Sequence, residues 1–214
     1  MDKIGSTAAA ISAGVAKANW KGQLWVGESA FAWHSGQEGV TDTFLSSPWW
    51  MSALGQLSAT HSGFCRQTLI GGNYELVNKT TRAPNADWYV ARLWKDAMGG
   101  TPFAAASDWP DLRAYAACAP GGGLSVAFIN FSNNVTVALD VSGPPAGSRR
   151  ALRVLSSADN ATVALNGAPL VYVPGSGALP PLAPRADAGS APLLVAPHTL
   201  GFVTFPDARA YDCA

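Results

Sequence analysis

The chain contains, at residues 24–29, the run Leu24-Trp25-Val26-Gly27-Glu28-Ser29. The apolar segment at residues 23–27 predicts a short strand, and a loop containing glycine and serine follows from residue 29 to 39. Glu28 ends the predicted strand. In a parallel α/β barrel the loops gather at the C-terminal ends of the strands, so a carboxylate there can act as nucleophile, base or ligand. The alternative is a solvated or salt-bridged glutamate, and this run alone leaves both open.

The sequence predicts helices on both sides of this strand and a second strand farther along. Apolar residues recur at helical spacing over residues 4–18, 40–54 and 87–98, and residues 63–69 are predicted to form the second strand. Helix, strand, helix, strand, helix is typical of a parallel α/β fold. Two strands alone cannot close a barrel or make a stable parallel sheet.

From about residue 101 onward the helical period disappears. Short alternating or β-branched runs separated by turn residues replace it, and Asn166-Gly167 is a strong hairpin signal. We therefore predict α/β structure over residues 1–100, an antiparallel β-sandwich over residues 101–214, and a long surface loop over 174–192. The predicted strands are 112–118, 124–130, 135–141, 151–156, 162–173 and 193–205.

Composition excludes several classes of function. The 214 residues carry 14 basic and 14 acidic side chains, so the net charge is +0, and the basic surface of a nucleic-acid-binding protein is absent. The sequence contains no run of 18 apolar residues, so no transmembrane helix is predicted. The three histidines lack the spacing of a metal site, the sequence has no phosphate-binding loop, and no Gly-x-Ser-x-Gly motif indicates a serine hydrolase. We expect neither a metal nor a cofactor.

Cysteines and glycosylation sequons bear on the cellular compartment. Three cysteines allow at most one internal disulfide. Four Asn-x-Ser/Thr sequons together with the low lysine content favour a secretory-pathway protein. The candidate glycosylation sites are Asn78, Asn130, Asn134 and Asn160.

Six segments, in order and with matching spacing, resemble heparanase and its plant heparanase-like relatives, glycoside hydrolase family 79. The strand with Trp-x-Gly-Glu and the second strand with Arg-Gln followed by Gly-Asn-Tyr are quite specific together. The segments are 24–29 (LWVGES), 65–74 (CRQTLIGGNY), 84–89 (PNADWY), 163–167 (VALNG), 179–182 (LPPL) and 210–214 (AYDCA).

The resemblance implies the C-terminal part of a (β/α)8 TIM barrel, about two strands and their helices within residues 1–100, followed by the β-sandwich. It implies retaining hydrolysis of β-glucuronide linkages in a glucuronic-acid-containing polysaccharide or proteoglycan. Glu28 falls at the nucleophile position, and Gln67, Gly72 and Tyr74 fall at positions near the bound sugar. Alternatively, Gln67 only ties strand ends, Gly72 serves a turn and Tyr74 belongs to the core.

The resemblance also implies how the cysteines pair and in which cellular compartment the protein is found. It implies a disulfide between Cys118 and Cys213, which leaves Cys65, inside the second strand, as a buried free thiol. It also implies a secreted protein of the extracellular matrix or cell wall, or of a lysosome or vacuole, with association with a membrane left open.

The chain departs from the family in two ways. After the nucleophile the family has small residues, whereas this chain has Phe31, Trp33 and His34, which puts its substrate specificity in question. The family's acid/base glutamate follows an asparagine, and no Asn-Glu pair occurs here. We therefore expect the isolated chain to be an inactive fragment whose partner is the missing N-terminal barrel portion. The alternatives are a non-catalytic glycan- or protein-binding sandwich with a vestigial barrel, and a purely structural sandwich.

Overall fold

The computed structural model describes residues 3–189, 191–208 and 213. Its helices are α1 (Lys3–Lys17), α2 (Ser47–Leu57) and α3 (Ala86–Ala97). The strands in the first half are β1 (Trp25–Ser29), β2 (Gly63–Arg66) and, at the transition to the second half, β3 (Pro102–Phe103). The remaining strands are β4 (Leu112–Cys118), β5 (Leu124–Asn130), β6 (Val137–Leu139), β7 (Arg150–Ser156), β8 (Ala164–Leu165), β9 (Ala168–Pro169), β10 (Arg185–Asp187), β11 (Leu193–Val195) and β12 (Leu200–Phe205).

The three predicted helices are present, and the second begins later than expected. A single 3₁₀ turn, Phe44–Ser46, precedes α2, and Pro48 lies in the first turn of that helix. Proline is favoured there because its missing N–H is one that the first helical turn leaves unpaired anyway. Helix α1 is attached to α2 by a hydrogen bond from the Gly5 N–H to Gln56 Oε1 at 3.1 Å. The helical layer therefore includes all three helices.

Among the described residues, no helix has the length and apolar character needed to cross a membrane.

Strands β1 and β2 pair in parallel, with Val26 opposite Phe64. The Phe64 side of the pair packs on α2, where its ring meets Trp50 edge-on at 4.7 Å. On the opposite side, Trp25 covers Gly63 so closely that a side chain at Gly63 would collide with the indole. Cys65 is exposed, so the prediction of a buried thiol is wrong. Cys65 alternates with Phe64 along β2, so it lies on the side of the pair opposite the one that α2 covers, and there it stays exposed.

An eight-stranded antiparallel sheet makes up most of the second half. The strand order is β3-β4-β5-β12-β7-β8-β9, and β10 pairs with β7 outside this order. Asn166 and Gly167, both with positive φ, form the predicted hairpin turn between β8 and β9. The predicted loop 174–192 contains one strand, β10. The predicted run 193–205 is interrupted at Pro197, which has no N–H for a ladder, so β11 leaves to pair with β6.

The large sheet is buried on both faces. Along β5, Ala127 and Ile129 face the helices, while Phe128 between them faces the small β6–β11 sheet. On the helix side, Trp94 of α3 meets Phe202 of β12 edge-on at 6.2 Å. The core on the helix side therefore crosses the predicted boundary at residue 100, which stays a prediction. The second layer of the predicted sandwich has two described strands.

The second half is closed by a disulfide between Cys118, the last residue of β4, and Cys213, with Cα atoms 5.2 Å apart. This is the pair that the family resemblance implied. Residues 210–212 and 214 of the terminal motif lie outside the described residues.

Candidate active site

A cavity of about 490 Å³ lies at the C-terminal ends of β1 and β2. Glu28 projects into it from β1, and Gln67 and Tyr74 reach it from the segment that follows β2. Glu28 is exposed, and it is the only carboxylate among the described residues that line the cavity. The structure thus brings three of the four predicted sugar-site residues together. The full lining is Glu28, Ser29, Ala30, Phe31, Ala32, Trp33, His34, Ser35, Gln67 and Tyr74.

Backbone hydrogen bonds tie the two loops that form the cavity. The Gln67 N–H donates to the Ser29 carbonyl at 3.0 Å, and the Asn73 N–H donates to the Ser35 carbonyl at 2.6 Å. The buried Thr41 hydroxyl also contacts the Asn73 carbonyl. Because these bonds connect residues 29–41 with 67–73, the loop after Glu28 and the loop after Gln67 are held as one unit.

The fourth predicted residue, Gly72, lies behind Tyr74 and does not line the cavity. Gly36 and Gly72 both have φ near +75°, a conformation that favours glycine. A Cβ on Gly72 would lie 3.2 Å from the Tyr74 ring, and one on Gly36 would lie 3.0 Å from it. Both glycines therefore leave room for the buried Tyr74 side chain, and the positive φ of Gly72 is typical of the turn role that was the alternative for this residue. A direct contact of Gly72 with a sugar stays a prediction.

The other two glutamates lie outside the cavity lining. Glu75 is buried, and its carboxylate accepts hydrogen bonds from the backbone N–H groups of Gly71 and Lys79. These two hydrogen bonds satisfy the buried carboxylate of Glu75, and they also stabilise the loop that carries Tyr74. Glu38 is exposed on the loop before α2.

Behind the cavity lies a buried ion pair that sequence reasoning did not single out. Arg66 Nη2 lies 2.7 Å from Asp87 Oδ2, and both side chains are only 3% exposed. The hydroxyls of Ser46 and Ser47 each donate to Asp87 Oδ1 at 2.9 Å. Burial raises the pKa of Asp87, while the Arg66 guanidinium and the two hydroxyls act in the opposite direction. Both residues lie within motifs of the family resemblance, which was the available sequence signal.

The loop after Glu28 carries three bulky side chains. Phe31 packs against Trp49 with ring centroids 5.9 Å apart, which anchors the loop to α2. Trp33 is 89% exposed at the edge of the cavity. His34 also lines the cavity and has a positive φ of 52°. The loop thus presents an unburied indole next to Glu28.

The described part of the chain holds no group of three or more histidine, cysteine, aspartate or glutamate side chains arranged to bind a metal ion.

Comparisons with known proteins agree with the sequence motifs. The chain is 33% identical to Heparanase-like protein 1 of Arabidopsis thaliana, over 89% of this chain and 42% of that protein. It is 34% identical to Baicalin-beta-D-glucuronidase of Scutellaria baicalensis, over 87% of this chain and 36% of that protein. It is 29% identical to Hyaluronoglucuronidase of Hirudo nipponia, over 89% of this chain and 41% of that protein. The chain therefore spans less than half the length of these relatives. No model of a protein family matches it.

Solved structures show the same fold in glycoside hydrolases. A 4-O-alpha-L-rhamnosyl-beta-D-glucuronidase from Fusarium oxysporum superposes with a TM-score of 0.60 at 17% identity, covering 84% of this chain and 43% of that one. A GH30 xylanase C from Talaromyces cellulolyticus also gives 0.60, at 14% identity, covering 87% of this chain and 41% of that one. The sequence motifs, the curated relatives and these folds agree, and the chain is a homologue of the heparanase-like proteins over about nine tenths of its length.

Proposed function

We propose that this chain is the nucleophile-bearing part of a retaining β-glucuronidase that acts on glucuronic-acid-containing glycans. The observation that carries the proposal is the cavity where Glu28, Gln67 and Tyr74 meet at the ends of two parallel strands. Relatives with glucuronidase names at 29–34% identity support the choice of sugar. Within this proposal, residues 1–100 are the end of a (β/α)8 barrel and residues 101–214 are a sandwich domain.

The proposed reaction assigns separate tasks to the three side chains. The Glu28 carboxylate attacks the anomeric carbon and forms a covalent glycosyl intermediate, which water then hydrolyses. The Gln67 amide and the Tyr74 phenol hydrogen-bond to the sugar and hold the anomeric carbon in line with Glu28. Retention requires a second carboxyl group about 5–5.5 Å away to protonate the leaving oxygen. Glu75 is bonded to backbone N–H groups and Glu38 lies outside the cavity lining, so neither takes this role.

We propose that the acid/base carboxyl group comes from an N-terminal barrel portion that pairs with β1. Among the described residues β1 pairs only with β2, so its other edge has free backbone donors and acceptors. An apolar groove of about 640 Å³ lies along β1 and α1, with Ile11 and Trp25 among the exposed side chains that line it. A further parallel strand in this groove would pair the free edge and cover the indole of Trp25.

Complementation tests both parts of the proposal. The chain is combined with the part of the Scutellaria relative that lies outside the region this chain matches, and hydrolysis of p-nitrophenyl β-glucuronide is measured. We expect activity from the combination, here called the complemented enzyme, and none above background from this chain alone. The missing carboxyl group also acts as the base that activates water for hydrolysis of the intermediate. Without it the rate should fall by roughly 10²- to 10⁴-fold even with the good p-nitrophenolate leaving group.

The p-nitrophenyl β-glucoside serves as the substrate control, and the matching region of the Scutellaria relative serves as the protein control. If that region restores activity and this chain does not, the enzyme proposal fails. The remaining candidate is a non-catalytic glycan-binding protein, which the 89% exposure of Trp33 favours because an exposed indole offers a stacking surface for sugars. That candidate predicts glycan binding that survives Glu28→Gln in the isolated chain.

We also propose that the chain passes through the secretory pathway, and the four sequons allow a test. Asn134 and Asn160 are exposed. Asn130 is 1% exposed, and its amide donates to the carbonyls of Val135 and Val195 at 2.9 and 3.0 Å. The folded chain therefore has no room for a glycan on Asn130. Asn78 is half-buried, with its side-chain oxygen accepting two backbone N–H groups.

In the protein secreted from eukaryotic cells we expect glycans on Asn134 and Asn160 and none on Asn130. Glycopeptide mass spectrometry measures the occupancy of each site, with Asn134→Gln and Asn160→Gln as controls that each remove one glycan. Glycan on Asn130 in folded, secreted protein would contradict the role assigned to its amide. Absence of glycan from both Asn134 and Asn160 would contradict the occupancy expected from their exposure.

A further inference from the structure

Arg66 connects the two sides of the sheet formed by β1 and β2. It is the last residue of β2, and its neighbour Gln67 lines the cavity. The Arg66 side chain points the other way, towards the helices, where it is 3% exposed. From there its Nη1 reaches back to the carbonyl of Gln67.

The same guanidinium is surrounded by three aromatic rings. Its central carbon lies 5.5 Å from the Trp49 ring, 5.6 Å from the Trp50 ring and 5.8 Å from the Tyr74 ring. Its Nε is buried and has no hydrogen-bond partner among the described residues. The guanidinium, being planar and weakly hydrated, is the cation best suited to such a site.

Asp87 balances the charge and fixes the position of the guanidinium. Asp87 lies in the first turn of α3, and its Oδ2 accepts a hydrogen bond from Arg66 Nη2. Its Oδ1 accepts hydrogen bonds from the hydroxyls of Ser46 and Ser47 at the start of α2. A buried ion pair is costly to desolvate, and well-packed apolar residues often replace it without loss of stability. Stability alone therefore does not account for this pair. Its distinctive property is the fork of Arg66, which contacts Asp87 and the Gln67 carbonyl at once.

Both polar groups that face the proposed sugar depend on this fork. The backbone of Gln67 is held on one side by the Ser29 carbonyl at 3.0 Å and on the other by Arg66. The Tyr74 ring contacts the guanidinium with its face and also lies close to the backbone of Gly36 and Gly72. A shift of Arg66 would therefore displace the Gln67 amide and the Tyr74 phenol together.

We propose that Arg66 is a positioning residue of the sugar site, which fixes Gln67 and Tyr74 and has Asp87 as its counterion. This inference rests on the proposed function. A displacement of about 1 Å in such groups lowers the rate by up to about 10²-fold.

The first test compares Arg66→Lys with Arg92→Lys. Arg92 pairs with Asp96 on the surface of α3, with side chains 56% and 30% exposed, so it controls for the loss of a guanidinium in an ion pair. Lysine keeps the charge but cannot form the planar fork. In the complemented enzyme we expect Arg66→Lys to lower kcat/KM about 10- to 10²-fold and Arg92→Lys to leave it unchanged.

The second test uses the isolated chain and needs no activity. We expect the NMR signals of the Gln67 side-chain amide and the Tyr74 ring to shift or broaden in Arg66→Lys, while the amides of β5 and β12 keep their hydrogen-exchange protection. The double variant Arg66→Met/Asp87→Asn removes both charges and keeps an acceptor for Ser46 and Ser47. We expect it to fold and to show the same displacement of Gln67 and Tyr74.

Unchanged Gln67 and Tyr74 signals in both variants would overturn the positioning role, as would wild-type kcat/KM in Arg66→Lys. If the complemented enzyme is inactive with the wild-type chain, the proposed function fails, and the NMR comparison alone decides whether Arg66 holds the two side chains.

Discussion

Replacing Glu28 with glutamine is expected to abolish hydrolysis of p-nitrophenyl β-glucuronide by the complemented enzyme. Glutamine has nearly the same shape as glutamate but cannot attack the anomeric carbon, so the covalent intermediate does not form. We expect kcat to fall by at least roughly 10³-fold, because loss of a covalent nucleophile in other hydrolases costs this much or more. Since Glu28 is exposed and forms no described hydrogen bond or ion pair, the unfolding midpoint of the chain should not change.

Glu38→Gln is the matched control, because Glu38 is also exposed and lies on the same connection between β1 and α2. It should keep full activity. A Glu28→Gly variant with added azide provides a sharper test. Azide in the place of the missing carboxylate attacks in a single displacement, so the product should be the α-glucuronyl azide, with inverted configuration. Substantial activity in Glu28→Gln, or a retained configuration in the azide product, would assign the nucleophile elsewhere.

The strands of the large sheet were the most predictable part of the fold. The boundaries of β4 and β5 agree with the prediction to the residue, because alternating and β-branched runs between glycine and asparagine turns define them locally. Less local features were missed. The start of α2 at Ser47 depends on Pro48 and a preceding 3₁₀ turn, which apolar periodicity does not detect. The exposure of Cys65 depends on what covers the β1–β2 pair, which the strand's own sequence does not determine.

The candidate site also contains residues that local sequence predicts and residues that depend on tertiary packing. The position of Glu28 at a strand end could be predicted from a single run of residues, because strand ends and loops have local signals. Gln67 and Tyr74 were predicted from the family resemblance, and in the structure both line the same cavity as Glu28. Arg66 and Asp87 are 21 residues apart on different elements, and no period in the sequence marks such a contact. A buried pair of this kind depends on how α3 packs against β2, which is tertiary information.

Removing the Cys118–Cys213 disulfide is expected to lower the free energy of unfolding by about 2–5 kcal/mol. The bond joins residues 95 positions apart, so it restricts a large part of the unfolded chain. In the folded chain it connects the end of β4 with the C-terminal segment that follows β12, and Cys118 itself is buried. The double variant Cys118→Ser/Cys213→Ser should therefore unfold at a lower urea concentration than the wild type.

Urea unfolding followed by tryptophan fluorescence measures the change, with Cys65→Ser as the control. Because Cys65 is exposed and unpaired with another cysteine, its replacement should leave the midpoint unchanged. The β1–β2 pair and the cavity lie far along the chain from this disulfide, so the complemented enzyme should keep its KM in the double variant at low temperature. A double variant as stable as the wild type would mean that the packing of the large sheet, and not the covalent link, holds the C-terminal segment. A changed KM would mean that the second half of the chain helps to shape the sugar site.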